Sequence, residues 1–363
     1  MQFVYEQFDP RRLSVDELYR RLRGLFRYLL LATSGDVEEA LEWLQRVARQ
    51  HGLFRRDLTF ADFKDRLLAD GEIARTKDGL QVTAQGLIEI RRDALQHVFR
   101  GLTARGLGDH HASGTGGGSE RLPETRPYVF GDELRDIDYR SSIKNAMKRG
   151  DVEDLALTER DVEVFESEPS TSCATVILVD ISHSMILYGE DRITPAKQVA
   201  LAMVELIKTR YPRDAVRVAV FGDRAREISI AELPLLRVGP FHTNTREGLE
   251  LAAQVLAREK AANKQIFLVT DGKPSALTIG RRLYKNPMGL DRQIVNKTLE
   301  TAATLRRKGI VVTTFMLTEE PSLVAFVDDF TKLNRGRAYY STPDRLGRFL
   351  LVDYIRNRRR HVS

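Results

Sequence analysis

Two carboxylates and three hydroxyls stand at positions in this chain where they could hold a divalent cation. An Asp-x-Ser-x-Ser pattern directly follows the apolar run 174–179, and a threonine and a second aspartate come later. The five candidate metal ligands are Asp180, Ser182, Ser184, Thr243 and Asp271. Because alternate residues leaving a strand can turn their side chains to one side, the first three can converge on one ion. Hard oxygen ligands favour Mg²⁺, with Mn²⁺ or Ca²⁺ as alternatives, over zinc.

The charge of these ligands suggests what such an ion would do. Only two of the five carry a negative charge, so a bound divalent ion stays electrophilic and can accept another anionic oxygen. Mg²⁺ usually retains water ligands, and an Asp or Glu of another protein can displace one of them. No catalytic residue is assigned, because His183 is interpreted as a hydrogen-bonded loop histidine, with a general base as the alternative.

Strands and helices are predicted to alternate from residue 173 onward. The predicted strands are 174–179, 215–221, 227–230, 265–270, 310–317 and 337–341, and the predicted helices are 194–209, 246–257, 291–308, 323–333 and 345–360. This order predicts an α/β fold with a doubly wound, mostly parallel sheet covered by helices on both faces. Ligands of such sheets bind beyond the carboxyl ends of the strands, where Asp180 and Asp271 stand.

Three ordered segments resemble the metal-ion-dependent adhesion site (MIDAS) of von Willebrand factor type A (VWA) domains. They are Asp180-x-Ser182-x-Ser184, Thr243 and Thr270-Asp271-Gly272. The resemblance covers residues 173–345 and implies a Rossmann-like VWA fold. It also implies that the serines and the threonine bind the metal directly, and that the acids bind it directly or through water. His242 stands where the family often has glycine, which leaves Thr245 as an alternative ligand to Thr243.

The chain is predicted to have four parts. They are a helical N-terminal domain (1–104), a flexible Gly-rich linker (105–124), a charged segment that clasps the sheet domain (125–172) and the VWA domain with a basic C-terminal helix (173–363). The N-terminal domain begins with a capping box at Ser14 and Glu17. It continues with helix, short strand, glycine turn, short strand and helix, the order of a winged-helix-like unit.

The charged segment carries a second resemblance. Residues 126–142, with alternating Asp and Arg, resemble the segment before the VWA domain in bacterial proteins commonly encoded beside MoxR-type AAA+ ATPases. That family usually has Trp where Tyr139 stands. The resemblance implies chaperone-like work with a MoxR-type AAA+ ATPase in assembly, remodelling or metal insertion. Because the chain lacks a Walker A motif, ATP hydrolysis would have to come from the partner.

The composition of the chain indicates the cellular compartment to expect. It has a single cysteine, Cys173, which excludes an internal disulfide framework and is interpreted as a buried apolar group. The N-terminus has no basic patch followed by an apolar run, and no apolar stretch approaches the ~20 residues of a spanning helix. The prediction is a cytoplasmic protein with no membrane span.

The predicted function is a non-enzymatic, Mg²⁺-dependent protein–protein interaction, with a partner that presents an Asp or Glu carboxylate. A metal-dependent phosphoesterase is one alternative, but Ser182 stands where such enzymes place a second aspartate, and no Gly-x-Ser-x-Gly motif occurs. The other alternative is a DNA-binding regulator. Nucleic acid is disfavoured because the candidate recognition helix 59–68 mixes basic and acidic residues, which gives little counterion release. Much of the net charge of +6 comes from the basic run 356–360.

Overall fold

The computed structural model describes residues 13–103, 119–129, 137–149, 157–169, 172–189, 191–271, 273–286, 290–317 and 320–340. The described parts of 1–105 and 172–360 form one compact unit, and those of 106–171 belong to a second. Gly272, most of the predicted linker and the predicted helix 345–360 lie outside the described residues.

The N-terminal part of the first unit is mostly helical. Its elements are α1 (Val15–Ala32), α2 (Val37–Gln50), α3 (Phe60–Ala69), β1 (Ile73–Thr76), β2 (Gly79–Val82) and α4 (Ala84–Thr103). The predicted capping box of Ser14 and Glu17 begins α1, and Thr59 with Asp62 forms a second one before α3. The antiparallel hairpin β1–β2 lies between α3 and α4, as the winged-helix-like prediction requires.

A buried ion cluster joins the elements of this N-terminal part. Arg27 of α1 is 4% exposed and donates to both carboxylate oxygens of Glu72, from Nε at 2.8 Å and from Nη2 at 2.5 Å. Its Nη1 donates to Asp93 of α4 at 2.8 Å. Since Glu72 directly precedes β1 and is itself 3% exposed, the cluster ties α1 to both the hairpin and α4.

The second unit contains a two-stranded sheet, one α-helix and a short 3₁₀ helix (Glu159–Asp161) among its described residues. The strands and the α-helix are, in chain order, β3 (Ser119–Pro127), α5 (Tyr139–Arg149) and β4 (Glu163–Pro169). The strands pair antiparallel, and Ser119 lies opposite Pro169. Strand β3 therefore reaches into the segment predicted as a linker, because it gains main-chain partners about fifty residues away. The predicted clasping of the sheet domain by this unit stays a prediction.

The remaining part of the first unit alternates strands and helices, in close agreement with the predicted order. Its elements are β5 (Cys173–Asp180), α6 (Ile193–Arg210), β6 (Ala215–Phe221), β7 (Ala225–Ile228), α7 (Thr245–Ala257), β8 (Asn263–Thr270), β9 (Ala276–Ile279), β10 (Arg282–Lys285), α8 (Arg292–Arg307), β11 (Ile310–Met316), α9 (Pro321–Asn334) and β12 (Arg337–Tyr340). The strand order is β12-β11-β8-β5-β6-β7, parallel except for β7. The predicted mostly parallel sheet is confirmed, whereas the separate hairpin β9–β10 was not predicted.

The central strand β5 is buried along its whole length, and its side chains alternate between two cores. Ile177 and Val179 belong to the core that includes α6 and the N-terminal helices. Val176 and Leu178 belong to the core that includes residues of α7, α8 and α9. Helices therefore cover both faces of the sheet, which is the doubly wound arrangement expected from the sequence.

Helix α6 is buried on nearly every side. Of its 18 residues, 14 are buried, because the N-terminal helices cover the side that the sheet does not. Lys197 of α6 donates from Nζ to the carbonyl oxygen of Leu31 at 2.8 Å and to Ser34 Oγ at 3.0 Å, beside the end of α1. Burial lowers the pKa of Lys197 to about 8. In the described part of the chain, no helix is long and apolar enough to cross a bilayer.

Candidate metal centre

Asp180 is fixed at the carboxyl edge of the sheet by two hydrogen bonds. It is the last residue of β5, fully buried, and lies beside the end of the neighbouring strand β8. Thr270, the last residue of β8, donates from Oγ1 to Asp180 Oδ2 at 2.7 Å. The backbone N–H of Ser182 donates to Oδ1 at 2.9 Å. Both carboxylate oxygens are therefore held in position, one by the end of β8 and one by the segment that follows β5.

Three hydroxyls converge next to this carboxylate. Ser182 Oγ lies 3.1 Å from Ser184 Oγ and accepts from Thr243 Oγ1 at 2.9 Å. Thr243 comes from the loop before α7, whose N-cap, Asn244, donates its backbone N–H to the carbonyl of Gly222 at 2.9 Å. Of the two candidate threonines, the structure brings Thr243 into the hydroxyl cluster. Thr245 instead lines a small, mostly apolar cavity behind the sheet edge.

Asp271 brings the second carboxylate to the same edge, directly after β8. It is 2% exposed, and within the described residues its Oδ1 atom has no hydrogen-bond partner. Its Oδ2 atom lies 3.5 Å from Nη1 of Arg192, a residue that the sequence did not single out. An unpartnered buried carboxylate oxygen costs free energy, which a cation at that oxygen would offset.

Burial shifts the acidity of both carboxyls in the same direction. Burial, reinforced by the negative charge of Asp271, raises the pKa of Asp180 to about 7. Burial also raises the pKa of Asp271, against the opposing effects of the Ser184 hydroxyl and the charge of Arg192. Two carboxylates that resist ionising together are what a divalent cation would stabilise.

The three hydroxyls hydrogen-bond to one another and together form a cluster of hard oxygen donors. The distances from Ser182 Oγ to its two hydroxyl neighbours are 2.9 and 3.1 Å. Among the described residues, no group of three or more His, Cys, Asp or Glu side chains could hold a metal. The side chains gathered here are hard oxygen donors, which suit Mg²⁺, Mn²⁺ or Ca²⁺ better than zinc.

The hairpin β9–β10 and a neighbouring ion pair hold the threonine loop in place. Ser275, just before β9, accepts the backbone N–H of Thr243 on its Oγ at 3.0 Å. Asp223 accepts the backbone N–H of His242 at 2.7 Å and pairs with Lys285 of β10 at 2.7 Å. His242, which replaces the glycine common in the family pattern, thus keeps the loop anchored by its backbone. His183 is exposed and begins a short 3₁₀ helix (His183–Gly189), and its interpretation as a hydrogen-bonded loop histidine stays a prediction.

The raised pKa of Asp180 predicts a pH dependence of stability without metal. An acid whose folded pKa is about 7, against an ordinary value near 3.8, binds its proton more tightly when folded. The stability it contributes is full below about pH 4 and is lost by about pH 7, a change of a few kcal/mol. In EDTA, the melting temperature of the wild type should fall from pH 5 to pH 7.5 more than that of Asp180→Asn. Equal falls in both proteins would show that Asp180 does not titrate in this range.

Comparison with known proteins places the chain in a family. The profile of the Rv0959-like vWA domain matches residues 173–355, and that of the Rv0959-like third domain matches residues 120–167. The chain is 33% identical over 313 residues to the uncharacterized protein Rv0959 of Mycobacterium tuberculosis, and equally to Mb0984 of Mycobacterium bovis. Each match covers 83% of this chain and 46% of the relative, so the chain spans about half the length of these proteins.

Solved structures with a similar fold are more distant. The vWF domain of the type V pili tip protein Mfa5 from Porphyromonas gingivalis is 13% identical, with a TM-score of 0.42 over 52% of this chain and 96% of that one. The PilB minor pilin from Streptococcus sanguinis is 16% identical, with a TM-score of 0.42 over 54% of this chain and 64% of that one. Since the vWA profile alone matches half of the sequence, this chain belongs to the Rv0959-like protein family, and residues 173–355 are its vWA domain.

Proposed function

We propose that this chain is a non-enzymatic interaction protein that uses Mg²⁺ at the candidate metal centre to capture an Asp or Glu carboxylate of a partner protein. The observation that carries the proposal is the convergence of three neutral hydroxyls and two buried carboxylates at one edge of the sheet. A bound Mg²⁺ supplies Lewis-acid attraction for an anionic oxygen. Because the hydroxyls add no negative charge, that attraction is not cancelled by the chain's own ligands.

The chain's own residues prepare the site for such an ion. Thr270 and the backbone of Ser182 hold the Asp180 carboxylate in one orientation, so that little ordering remains to be done on binding. The hairpin contact of Ser275 does the same for Thr243. The metal-dependent phosphoesterase alternative lacks support here. The second position after Asp180 carries Ser182, whose hydroxyl lies among the proposed ligands and cannot act as a carboxylic acid.

The proposed partner is a MoxR-type AAA+ ATPase, and the proposed setting is cytoplasmic and chaperone-like. Two features of the sequence support this partnership. Residues 126–142 resemble the segment found in VWA proteins encoded beside such ATPases, and the chain has no Walker A motif of its own. The ATPase would supply the energy for assembly, remodelling or metal insertion, and the vWA domain would supply metal-dependent contact.

DNA binding through the N-terminal part is disfavoured by how its basic side chains are used. Arg66 of α3 pairs with Asp16 at 3.3 Å and lies over the ring of Tyr19, 5.3 Å from its centroid. Arg23 lies near the same ring and pairs with Asp70 at 3.3 Å. Basic groups that already have acidic neighbours release few counterions on binding a phosphate backbone.

A capture experiment tests the proposed function. The immobilised chain should retain the MoxR-type ATPase of its own organism in Mg²⁺, lose it in EDTA and regain it when Mg²⁺ is restored. Ser184→Ala, which removes one proposed ligand, should weaken retention, whereas Ser322→Ala at an exposed position of α9 should not. Retention that EDTA does not change would overturn metal-dependent capture. Absence of retention in Mg²⁺ would overturn the ATPase as the partner.

A further inference from the structure

We propose that Arg192 is an exchangeable counter-ion of the candidate metal centre. Its guanidinium balances the charge of Asp271 in the metal-free protein and competes with a divalent cation for the same carboxylate. Arg192 would then be a positioning residue that sets metal affinity without being a ligand. This inference rests on the proposed function, because it assumes that the site binds a divalent cation.

The ion pair between Arg192 and Asp271 is close enough for strong electrostatic attraction, but its geometry is weak enough for another cation to replace the guanidinium. Nη1 of Arg192 lies 3.5 Å from Oδ2 of Asp271, with side-chain exposures of 18% and 3%. A separation of 3.5 Å is long for a charge-assisted hydrogen bond, so the pair is held mainly by electrostatic attraction. Since the guanidinium is the more exposed partner, it can move toward water when another cation takes its place.

The backbone tethers Arg192 to the metal loop. Its N–H donates to the carbonyl oxygen of Met185 at 3.0 Å, one residue beyond Ser184. It also directly precedes α6, whose first turn is fixed by Asp191 accepting from the backbone N–H of Thr194 at 3.0 Å. The guanidinium is therefore positioned by the same loop that carries the proposed ligands, and it can reach Asp271 without any change in the helix.

Asp271, rather than Asp180, is the carboxylate whose charge remains to be balanced. Both oxygens of Asp180 accept short hydrogen bonds, one from the backbone N–H of Ser182 and one from the Thr270 hydroxyl. Asp271 has a buried Oδ1 without a hydrogen-bond partner in the described residues, and its Oδ2 faces Arg192. The Ser184 hydroxyl and the backbone N–H of Lys273 also donate to this carboxyl, but Arg192 provides a larger opposing charge than the Lys273 side chain does.

The consequence for metal binding follows from Coulomb's law. An ion coordinated by the hydroxyls and either oxygen of Asp271 would lie within a few ångströms of the guanidinium. In a mostly buried site, repulsion between a divalent ion and a unit positive charge at that range exceeds the thermal energy. Arg192 would therefore have to leave Asp271 when a divalent cation binds, and the cost of that displacement would lower the net metal affinity.

Replacing Arg192 with methionine, which keeps much of the length and removes the charge, tests the proposal. Calorimetric titration with Mn²⁺ should show binding about tenfold tighter than in the wild type, because the competing charge is gone. In EDTA the same variant should melt at a lower temperature, because Asp271 loses its counter-ion. The control is Arg217→Met, which removes an exposed arginine of β6 that pairs with Glu259. This variant should change neither the Mn²⁺ affinity nor the melting temperature in EDTA.

The outcomes separate this proposal from the proposed function. If the wild type binds Mn²⁺ and Arg192→Met binds it equally or more weakly, the counter-ion role is overturned and the metal site stands. If the wild type binds no divalent cation, the proposed function itself fails. Arg192→Lys keeps the charge and should keep the wild-type affinity. Should Arg192→Lys bind Mn²⁺ as tightly as Arg192→Met, the effect would come from packing rather than charge, and the proposal would be overturned.

Discussion

Replacing Asp180 with alanine is expected to lower the affinity of the chain for Mg²⁺ by at least about a hundredfold, because a carboxylate that would hold the ion, directly or through water, is lost. The fold should survive this change. Asp180 lies at the end of β5, and its removal also relieves its repulsion of the buried Asp271. Calorimetric titration with Mg²⁺ would measure the affinity, and circular dichroism during heating in EDTA would measure the stability.

The matched control for this experiment is Asp329→Ala. Asp329 is an exposed aspartate of α9, 66% exposed and 3.8 Å from Lys332. The Asp329→Ala protein should bind Mg²⁺ with wild-type affinity. An Asp180→Ala protein that folds and still binds Mg²⁺ with wild-type affinity would contradict the assignment of the site.

The largest stability effect is expected at Arg27, far from the metal centre. Arg27→Met should lower the free energy of unfolding by about 3–5 kcal/mol, because it leaves Glu72 buried without its main cationic partner. The remaining nearby cation, Arg23, lies 3.5 Å from Glu72 and is more exposed. Denaturation in urea, followed by tryptophan fluorescence and circular dichroism together, would measure the loss.

Two further variants show whether the loss of stability in Arg27→Met comes from the unpaired buried charge of Glu72 or from the loss of an arginine in general. Arg92→Met removes an exposed partner of Glu89, 2.7 Å away, and should cost less than about 1 kcal/mol. Adding Glu72→Met to Arg27→Met should recover much of the stability, because no unpaired charge then stays buried. A loss below about 1 kcal/mol in Arg27→Met alone would show that Glu72 finds water or another cation.

The regular part of the fold was predictable because its pattern is local. Each buried strand reads as a run of apolar, β-branched residues, and the parallel order follows from the helices between the strands. This pattern alone predicts that Asp180 and Asp271 lie at the same edge of the sheet. The choice between Thr243 and Thr245 could not be made locally. It depends on where α7 begins, and the N-cap at Asn244 turns the Thr243 hydroxyl toward Ser182.

The unpredicted features are those that depend on distant partners. Strand β3 forms because β4 pairs with it across the intervening residues, although its own sequence is polar and contains Pro123. The hairpin β9–β10 stands apart from the main sheet and is held by contacts such as that of Lys285 with Asp223. Arg192 carries no motif signal, because an arginine before a helix is ordinary and only the fold brings Asp271 beside it.

The burial of α6 means that the boundary drawn by family similarity is not the boundary of an autonomous folding module. Sequence similarity begins the vWA domain at residue 173, but a polypeptide started there would turn the apolar outer side of α6 toward water. Such a fragment would self-associate or stay partly molten, even with every proposed metal ligand present. Residues 13–103 thus provide an outer helical layer that the sheet domain needs. The domain defined by sequence similarity is therefore smaller than the unit that folds as one body.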